Sequence, residues 1–246
     1  MDKYRSELVH EITSEMWRHV QENDGVPLSS SPTIRQLIER WPDPVRRLRL
    51  EALVERIQGL TPEHRRMFVE AVDEVQVRSK LWLIDELGRR CDLDGRVLVI
   101  LGAWFGILPL LIDLTVGRPP RRMVCIDIDA RACALGEQVV GSVNPAIEYE
   151  VADVMELDYP VLLQDRSSVL VNTICEHLVD VQRWWQRIPP GQFCVLQSNN
   201  YAACPDHVNY VRDLGEMKAQ TPMSDLLFEG MLPLPILDRF MLMGSR

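Results

Sequence analysis

Residues 96–106 read RVLVILGAWFG, a mostly apolar run that passes into two glycines. An apolar run of this length is typical of a β-strand that is covered on both faces, as in a parallel sheet. Glycine at positions 102 and 106 permits a tight turn and a close approach of the backbone to a ligand. The spacing G-x-x-x-G, with Ala103 and Trp104 in between, lacks the middle glycine of the dinucleotide fingerprint and disfavours an NAD site.

Strand and helix patterns alternate from residue 95 to the end of the chain. Strands are predicted over residues 96–101, 122–128, 147–152, 168–172, 191–197 and 236–243. Helices are predicted over residues 107–115, 130–140, 179–187 and 224–228. This alternation predicts an α/β fold with a Rossmann-like, mostly parallel sheet. In such a sheet the ligand binds at the carboxyl ends of the strands.

The first 90 residues show helical spacing and no strand pattern. Residues 1–22 and 45–57 carry apolar residues at helical intervals. Ser31-Pro32 and Thr61-Pro62 are typical helix starts, with a capping side chain followed by proline. The helix after Thr61 runs towards Trp82, and residues 79–87 either continue it or begin another. We therefore expect a helical cap domain over residues 1–90 and a Rossmann-like domain over residues 91–246.

Composition excludes several classes of protein. The 246 residues include 36 acidic and 27 basic side chains, a net charge of −9, which disfavours a general nucleic-acid binder. No apolar run reaches the roughly 18 residues of a membrane span, and residues 1–22 lack a signal-peptide core. A cytoplasmic protein with no membrane partner is expected. The six cysteines show no metal-binding spacing, so they are predicted to be reduced and no metal site is predicted.

Polar residues follow the predicted strands at the edge where a ligand would bind. Asp127 ends the second strand, where a carboxylate can accept both hydroxyls of a ribose. Asp129 follows it and is better explained as a helix N-cap. Asp153 and Asn172 end the third and fourth strands, so all of these side chains are expected at one edge of the sheet.

These motifs resemble those of class I S-adenosylmethionine (SAM)-dependent methyltransferases from about residue 80 onward. LVILGAWFG is similar to the glycine motif, VCIDID to the ribose-binding segment, VADVMEL to the adenine segment and VNTICEHL to the segment beside the reaction centre. The resemblance implies that SAM is a substrate. It implies contacts to the methionine part by Gly102, Ala103 and Gly106, to the ribose by Asp127, to the adenine by Asp153 and Val154, and to the reacting end by Asn172.

Two features favour a reaction other than methylation. Residues 106–110, GILPL, resemble the Gly-Pro-Leu-Pro-Leu of nicotianamine synthases, which transfer aminocarboxypropyl groups and carry an N-terminal helical domain. The length and element order are similar to azetidine-2-carboxylate synthases. Trp104 and Phe105 are bulky for a glycine loop; an indole face can stabilise a sulfonium cation, whereas Phe105 is expected in the core.

Three functions remain open. The preferred hypothesis is a SAM-consuming enzyme that acts on a small molecule by cleaving the Cγ–S bond of SAM, specifically by cyclisation to azetidine-2-carboxylate with release of methylthioadenosine. The alternative is a small-molecule N- or O-methyltransferase that releases S-adenosylhomocysteine. A third hypothesis is a nucleotide-binding adaptor without catalytic activity. Asp127 and Asp153 disfavour it, because an inactive site has no physical need for them.

Further side chains are candidates for the substrate pocket. His177 could serve as a base near neutral pH or simply start a helix, and the adjacent Glu176 could neutralise an ammonium group. Tyr201 and Asn200 follow the fifth strand with Asn199, as a pocket lining or as an Asx turn. From the cap, Ser79 or Lys80 could reach the methionine carboxylate. His207 and Asn209 could return to the mouth of the site, and the helical half could pack a homodimer.

Overall fold

The computed structural model describes residues 3–23 and 26–246, which form one sheet and the helices around it. The strands are β1 (Val97–Leu101), β2 (Arg122–Asp127), β3 (Ile147–Val151), β4 (Ser168–Asn172), β5 (Phe193–Asn199), β6 (Asp225–Pro233) and β7 (Asp238–Ser245). Their order is β3-β2-β1-β4-β5-β7-β6. The first five strands are parallel, and β7 runs antiparallel to both β5 and β6. The predicted α/β fold with a mostly parallel, Rossmann-like sheet is confirmed.

Alternate residues of the strands face two separate hydrophobic clusters, as the twofold repeat of a strand requires. The helices are α1 (Lys3–Glu22), α2 (Pro32–Glu39), α3 (Pro44–Gln58), α4 (Pro62–Glu70), α5 (Glu74–Arg90), α6 (Ile107–Thr115), α7 (Ala130–Val139), α8 (Tyr159–Leu162), α9 (Val181–Arg187) and α10 (Leu214–Gln220). Helices α1–α7 pack on the face that carries Leu98 and Ile100. Helices α8–α10 pack on the face that carries Val99 and Leu101. The central strands are therefore covered on both sides, which explains their continuous apolar sequences.

The N-terminal helices begin where the sequence places capping side chains. The hydroxyls of Ser31 and Thr61 accept hydrogen bonds from the first turns of α2 and α4. The chain does not form one helix from Thr61 to Trp82. Helix α4 ends at Glu70, and α5 begins at Glu74 because the side chain of Asp73 caps it by accepting from the N–H of Gln76. Among the described residues, no helix combines the length and apolarity that crossing a membrane requires.

The C-terminal region differs from its prediction. Residues 224–228 were expected to be helical, but they lie in or beside the edge strand β6, and the helix α10 precedes them. Consecutive apolar residues such as Leu226 and Leu227 do not show the alternation of a half-buried strand, and pairing with β7 determines the conformation instead. The last strand runs over Asp238–Ser245, two residues later than expected.

Candidate active site at the carboxyl edge of the sheet

The loop between β1 and α6 has a left-handed backbone at three positions. The φ angles are 65° at Gly102, 48° at Trp104 and 78° at Gly106, and Trp104 is the one non-glycine residue with positive φ in the described part of the chain. A Cβ atom at Gly102 would collide with the side chain of Ile174, and one at Gly106 with the hydroxyl of Tyr149. The two glycines are therefore required both by conformation and by close packing.

Trp104 occupies the position at which the dinucleotide fingerprint has its middle glycine. A left-handed conformation costs a residue with a Cβ about 1–2 kcal/mol, so the surrounding structure has to compensate this conformational strain at Trp104. Its side chain is 39% exposed, whereas Phe105 is 1% exposed and lies in the core as expected. The two ring centroids lie 4.4 Å apart with the ring planes tilted by 33°, so the indole packs on Phe105 while part of it stays exposed.

Asp127 ties the ends of β1 and β2 together. Its Oδ2 accepts a hydrogen bond of 2.8 Å from the backbone N–H of Trp104, and its Oδ1 accepts one of 3.0 Å from Asp129. The side chain of Asp129 caps α7 by accepting from the N–H groups of Arg131 and Ala132. The two acids thus have different roles, because Asp129 is committed to the helix and Asp127 faces the loop.

The ends of β3 and β4 supply one exposed and one buried polar side chain. Asp153 is exposed, and its Oδ1 accepts from the N–H of Met155 at 2.8 Å, while Val154 is buried. Asn172 is fully buried beside Leu101, its register partner on β1. Its Oδ1 accepts from the N–H of Ile174 at 2.9 Å, and its Nδ2 has no partner among the described residues. A buried donor of this kind calls for an acceptor at this edge.

A buried ion pair lies beyond the end of β4. Oε1 of Glu176 accepts hydrogen bonds from Nη1 of Arg239 at 2.7 Å and from Nδ2 of Asn199 at 2.5 Å. Both charged side chains are almost fully buried, with 3% exposure for Glu176 and 6% for Arg239. Sequence reasoning missed Arg239, although an arginine inside an otherwise apolar terminal strand is a signal that it has a buried partner.

The cap contributes Ser79 and Lys80 from helix α5. Ser79 is buried, and its hydroxyl donates to Oε1 of Gln197 at 3.3 Å, two residues before the end of β5. Lys80 donates to Oε1 of Gln76 at 2.6 Å. Burial and, next, the charge of Arg239 lower the pKa of Lys80 to about 8. A SAM-carboxylate contact by either residue stays a prediction.

The residues after β5 are largely engaged in the fold. Both polar atoms of Asn200 bond to Asp238, which joins the end of β5 to the start of β7. Oδ1 of Asn199 accepts from the N–H of Tyr201 at 2.8 Å, which is the Asx-type contact considered for this segment. The N–H of Asn209 donates to the backbone carbonyl of Glu176, so this segment does return towards the end of β4.

Two histidines lie together at this edge, His177 in the turn after β4 and His207 in the loop after β5. Nδ1 of His177 lies 3.1 Å from the backbone carbonyl of Asp206, and Nδ1 of His207 lies 2.8 Å from that of Tyr201. Their ring centroids are 4.7 Å apart in a T-shaped arrangement. The structure therefore forms two groups at the edge, one around Trp104 and Asp127 and one around Glu176 and the two histidines.

Comparisons with known proteins establish the fold. No protein-family model matches this chain, and no curated protein matches it in sequence. A geranyl diphosphate methyltransferase in complex with GPP and sinefungin superposes with a TM-score of 0.53 at 11% identity, over 74% of this chain and 81% of that chain. The N-methyltransferase NodS from Bradyrhizobium japonicum WM9, in complex with S-adenosylhomocysteine, superposes with a TM-score of 0.51 at 12% identity, over 79% of this chain and 97% of that chain. The [4+2]-cyclase SpnF superposes with a TM-score of 0.50 at 11% identity, over 70% of this chain and 81% of that chain.

The chain thus has the Rossmann-like fold of SAM-dependent methyltransferases. Such a fold accommodates more than one reaction, as the cyclase among these structures illustrates. The reaction has to be argued from the residues at the edge.

Proposed function

We propose that this protein is an enzyme that binds SAM at the carboxyl edge of the parallel strands and uses it to transform a small molecule. The observation that carries the proposal is the hydrogen bond between the glycine loop and the acid that ends β2, Trp104 N–H to Asp127 Oδ2. It holds the carboxylate of Asp127 against a glycine loop, and a carboxylate in that position supports binding of a ribose.

The residues at this edge fit SAM. Each carboxylate oxygen of Asp127 accepts one N–H bond and retains the capacity to accept a ribose hydroxyl. Asp153 is exposed and can accept from the adenine amine, beside the apolar surface of Val154. The buried Nδ2 of Asn172 supplies a donor for the methionine part. Gly102, Ala103 and Gly106 belong to the loop whose backbone would contact the same part of SAM. SAM brings a sulfonium whose three attached carbons are all electrophilic.

A small-molecule substrate agrees with the charge of the chain and with its structural neighbours. The net charge of −9 disfavours a polyanionic substrate. The name of the geranyl diphosphate methyltransferase describes a protein of this fold that acts on a small molecule.

For the reaction itself, the geometry of Trp104 favours cleavage of the Cγ–S bond. Trp104 puts an exposed indole on the glycine loop, where small residues are usual, and an indole face can stabilise a positive charge. In cyclisation the amino nitrogen of SAM forms a bond to its own Cγ, and the Cγ–S bond breaks with its electrons passing to sulfur. The nitrogen loses a proton, and the products are azetidine-2-carboxylate and methylthioadenosine.

A second candidate is methyl transfer to the nitrogen or oxygen of a small acceptor, with release of S-adenosylhomocysteine. It is favoured by the methyltransferases among the structures of this fold. In this reaction His177 would act as the base and the hydroxyl of Tyr201 would face the acceptor.

Mass spectrometry of the purified protein incubated with SAM alone distinguishes these reactions. Methylthioadenosine with azetidine-2-carboxylate, formed above spontaneous breakdown and lost in Asp127→Asn, is the expected result. SAM that is bound but consumed only with an added acceptor, with S-adenosylhomocysteine as product, would establish methyl transfer instead. A protein that neither binds SAM nor consumes it with any acceptor would refute the whole proposal.

A further inference from the structure

Three side chains of the types that can ligate a metal ion converge beside the ends of β4 and β5. Glu176 and His177 belong to the single turn Cys175–His177 that follows β4, and His207 comes from the loop after β5. Each offers one ligand atom, and these atoms all lie within 4.8 Å of one another. We propose that Glu176, His177 and His207 bind a divalent transition-metal ion. This inference goes beyond the SAM site and does not depend on it.

The hydrogen bonds of both histidines prepare them as ligands. A backbone carbonyl can only accept, so the contacts of His177 to Asp206 and of His207 to Tyr201 place the proton of each ring on Nδ1. The lone pair of each ring is then on Nε2. Metal-binding histidines in proteins are typically held in this way, with the other ring nitrogen donating to a carbonyl or carboxylate.

Glu176 contributes a carboxylate oxygen that lacks a partner. Its Oε1 is held by Arg239 and Asn199, whereas Oε2 is buried without a hydrogen-bond partner among the described residues. Leaving a buried carboxylate oxygen unpaired is costly, so a ligand for it is expected. The contacts to Oε1 also fix the orientation of the carboxylate, as the partners of ligating carboxylates usually do. The positive charge of Arg239 opposes binding of a cation here, although its hydrogen bond goes to Oε1 and leaves Oε2 available as a ligand.

The donor set selects the class of ion. Two imidazole nitrogens and one carboxylate oxygen suit Zn²⁺ and its first-row neighbours, whereas Mg²⁺ and Ca²⁺ prefer oxygen alone. Ligand atoms about 3.3 Å apart are needed for tetrahedral Zn²⁺ with bonds of about 2.0–2.1 Å. Because the ligand atoms lie within 4.8 Å of one another, reaching this spacing shortens each distance between them by at most about 1.5 Å. Three protein ligands leave one position for water or a substrate atom.

The sequence did not predict this site. The expectation of no metal rested on cysteine spacing, and the two histidines are separated by 29 residues of the chain. Only the turn after β4 and the loop after β5 bring them together.

The test is calorimetric titration of Zn²⁺ into metal-free full-length protein, without SAM, together with metal analysis after dialysis. We expect one bound equivalent, and a loss of affinity of about tenfold or more in both His177→Ala and His207→Ala. His64→Ala is the matched control, because His64 is an exposed histidine on α4 far along the chain from the cluster. Mg²⁺ should not compete with Zn²⁺.

Co²⁺ provides a second measurement on the unaltered protein, in case the variants do not fold. A visible absorption spectrum of a four- or five-coordinate ion with nitrogen and oxygen ligands is expected. A wild-type protein without stoichiometric Zn²⁺ or Co²⁺ binding would overturn the proposal, as would binding that His177→Ala and His207→Ala leave unchanged. Because SAM is absent throughout, this result is independent of whether the proposed SAM site is correct.

Discussion

The backbone N–H of Trp104 donates to Oδ2 of Asp127 at 2.8 Å, across the ends of β1 and β2. The residue that donates this bond has a left-handed backbone, with φ of 48°. The loop therefore combines an unfavourable backbone conformation with an exposed indole next to the candidate ribose-binding acid. Strain that persists at such a position is typical of a functional site.

Trp104→Gly should reduce turnover of SAM by about tenfold or more while changing the free energy of unfolding by less than about 1 kcal/mol. Relief of the left-handed strain, about 1–2 kcal/mol, is offset by the entropy of glycine and by loss of the contact with Phe105. Steady-state turnover and urea unfolding measure the two effects. Trp17→Ala, which removes an exposed tryptophan of α1, is the control. Unchanged turnover in Trp104→Gly would contradict a role for the indole in the reaction.

Asp127→Asn should weaken SAM binding about tenfold to a hundredfold, because hydrogen bonds to a charged acceptor contribute about 1.5–3 kcal/mol. Asp129→Asn is the matched control two residues away. Asparagine caps a helix as well as aspartate does, so this variant should bind SAM like the wild type. Calorimetric titration with SAM measures both. Equal effects of the two substitutions would argue for a loss of charge in general and against a specific ribose contact.

Arg239→Met should lower the free energy of unfolding by about 3–5 kcal/mol, because it leaves the carboxylate of Glu176 buried and uncompensated. The double variant Glu176→Gln with Arg239→Met removes both charges and should recover most of this loss. Urea denaturation of the wild type, Glu176→Gln, Arg239→Met and the double variant provides the four free energies of unfolding of a double-mutant cycle. Losses that simply add would mean that the two side chains stabilise the fold independently.

Lys80 should make stability depend on pH in the alkaline range. Burial and Arg239 lower the pKa of Lys80 to about 8, against an ordinary value of 10.5. Between these values the unfolded chain binds a proton that the folded chain does not, so stability rises with pH by up to about 1.4 kcal/mol per unit. Below about pH 8 both states are protonated, and this dependence vanishes.

Urea unfolding of the wild type and of Lys80→Met at several pH values measures this contribution as a difference. The variant should be more stable at pH 7 and should lack the rise above pH 8. Lys218→Met is the control, because Lys218 lies near the surface beside Glu229. A difference between wild type and Lys80→Met that does not change with pH would show that Lys80 titrates normally.

The parallel core could be predicted from the sequence, because strands that are covered on both faces have continuous apolar sequences. Strand β4 was predicted at its observed bounds, Ser168–Asn172, and the capping role of Asp129 was anticipated. Both follow from short-range patterns. The edge strand β6 could not be recognised, because its apolar residues do not alternate and its conformation depends on pairing with β7.

The candidate site was only partly predictable for the same reason. Asp127 and Asn172 end strands and Asp153 lies two residues after one, so topology alone brings them to one edge. The pairing of Glu176 with Arg239 joins residues 63 positions apart, and the contact between His177 and His207 depends on two loops. No local pattern encodes such contacts, and the positive φ of Trp104 is likewise invisible in a sequence that has tryptophan where glycine is usual.

A crystal structure of the protein with S-adenosylhomocysteine would test the central claim most directly. We expect the ribose hydroxyls to lie within about 2.5–3.0 Å of the carboxylate oxygens of Asp127, with the adenine beside Asp153 and Val154. A ligand bound elsewhere, or an edge that remains free of ligand at saturating concentration, would contradict the assignment of this edge as the SAM site.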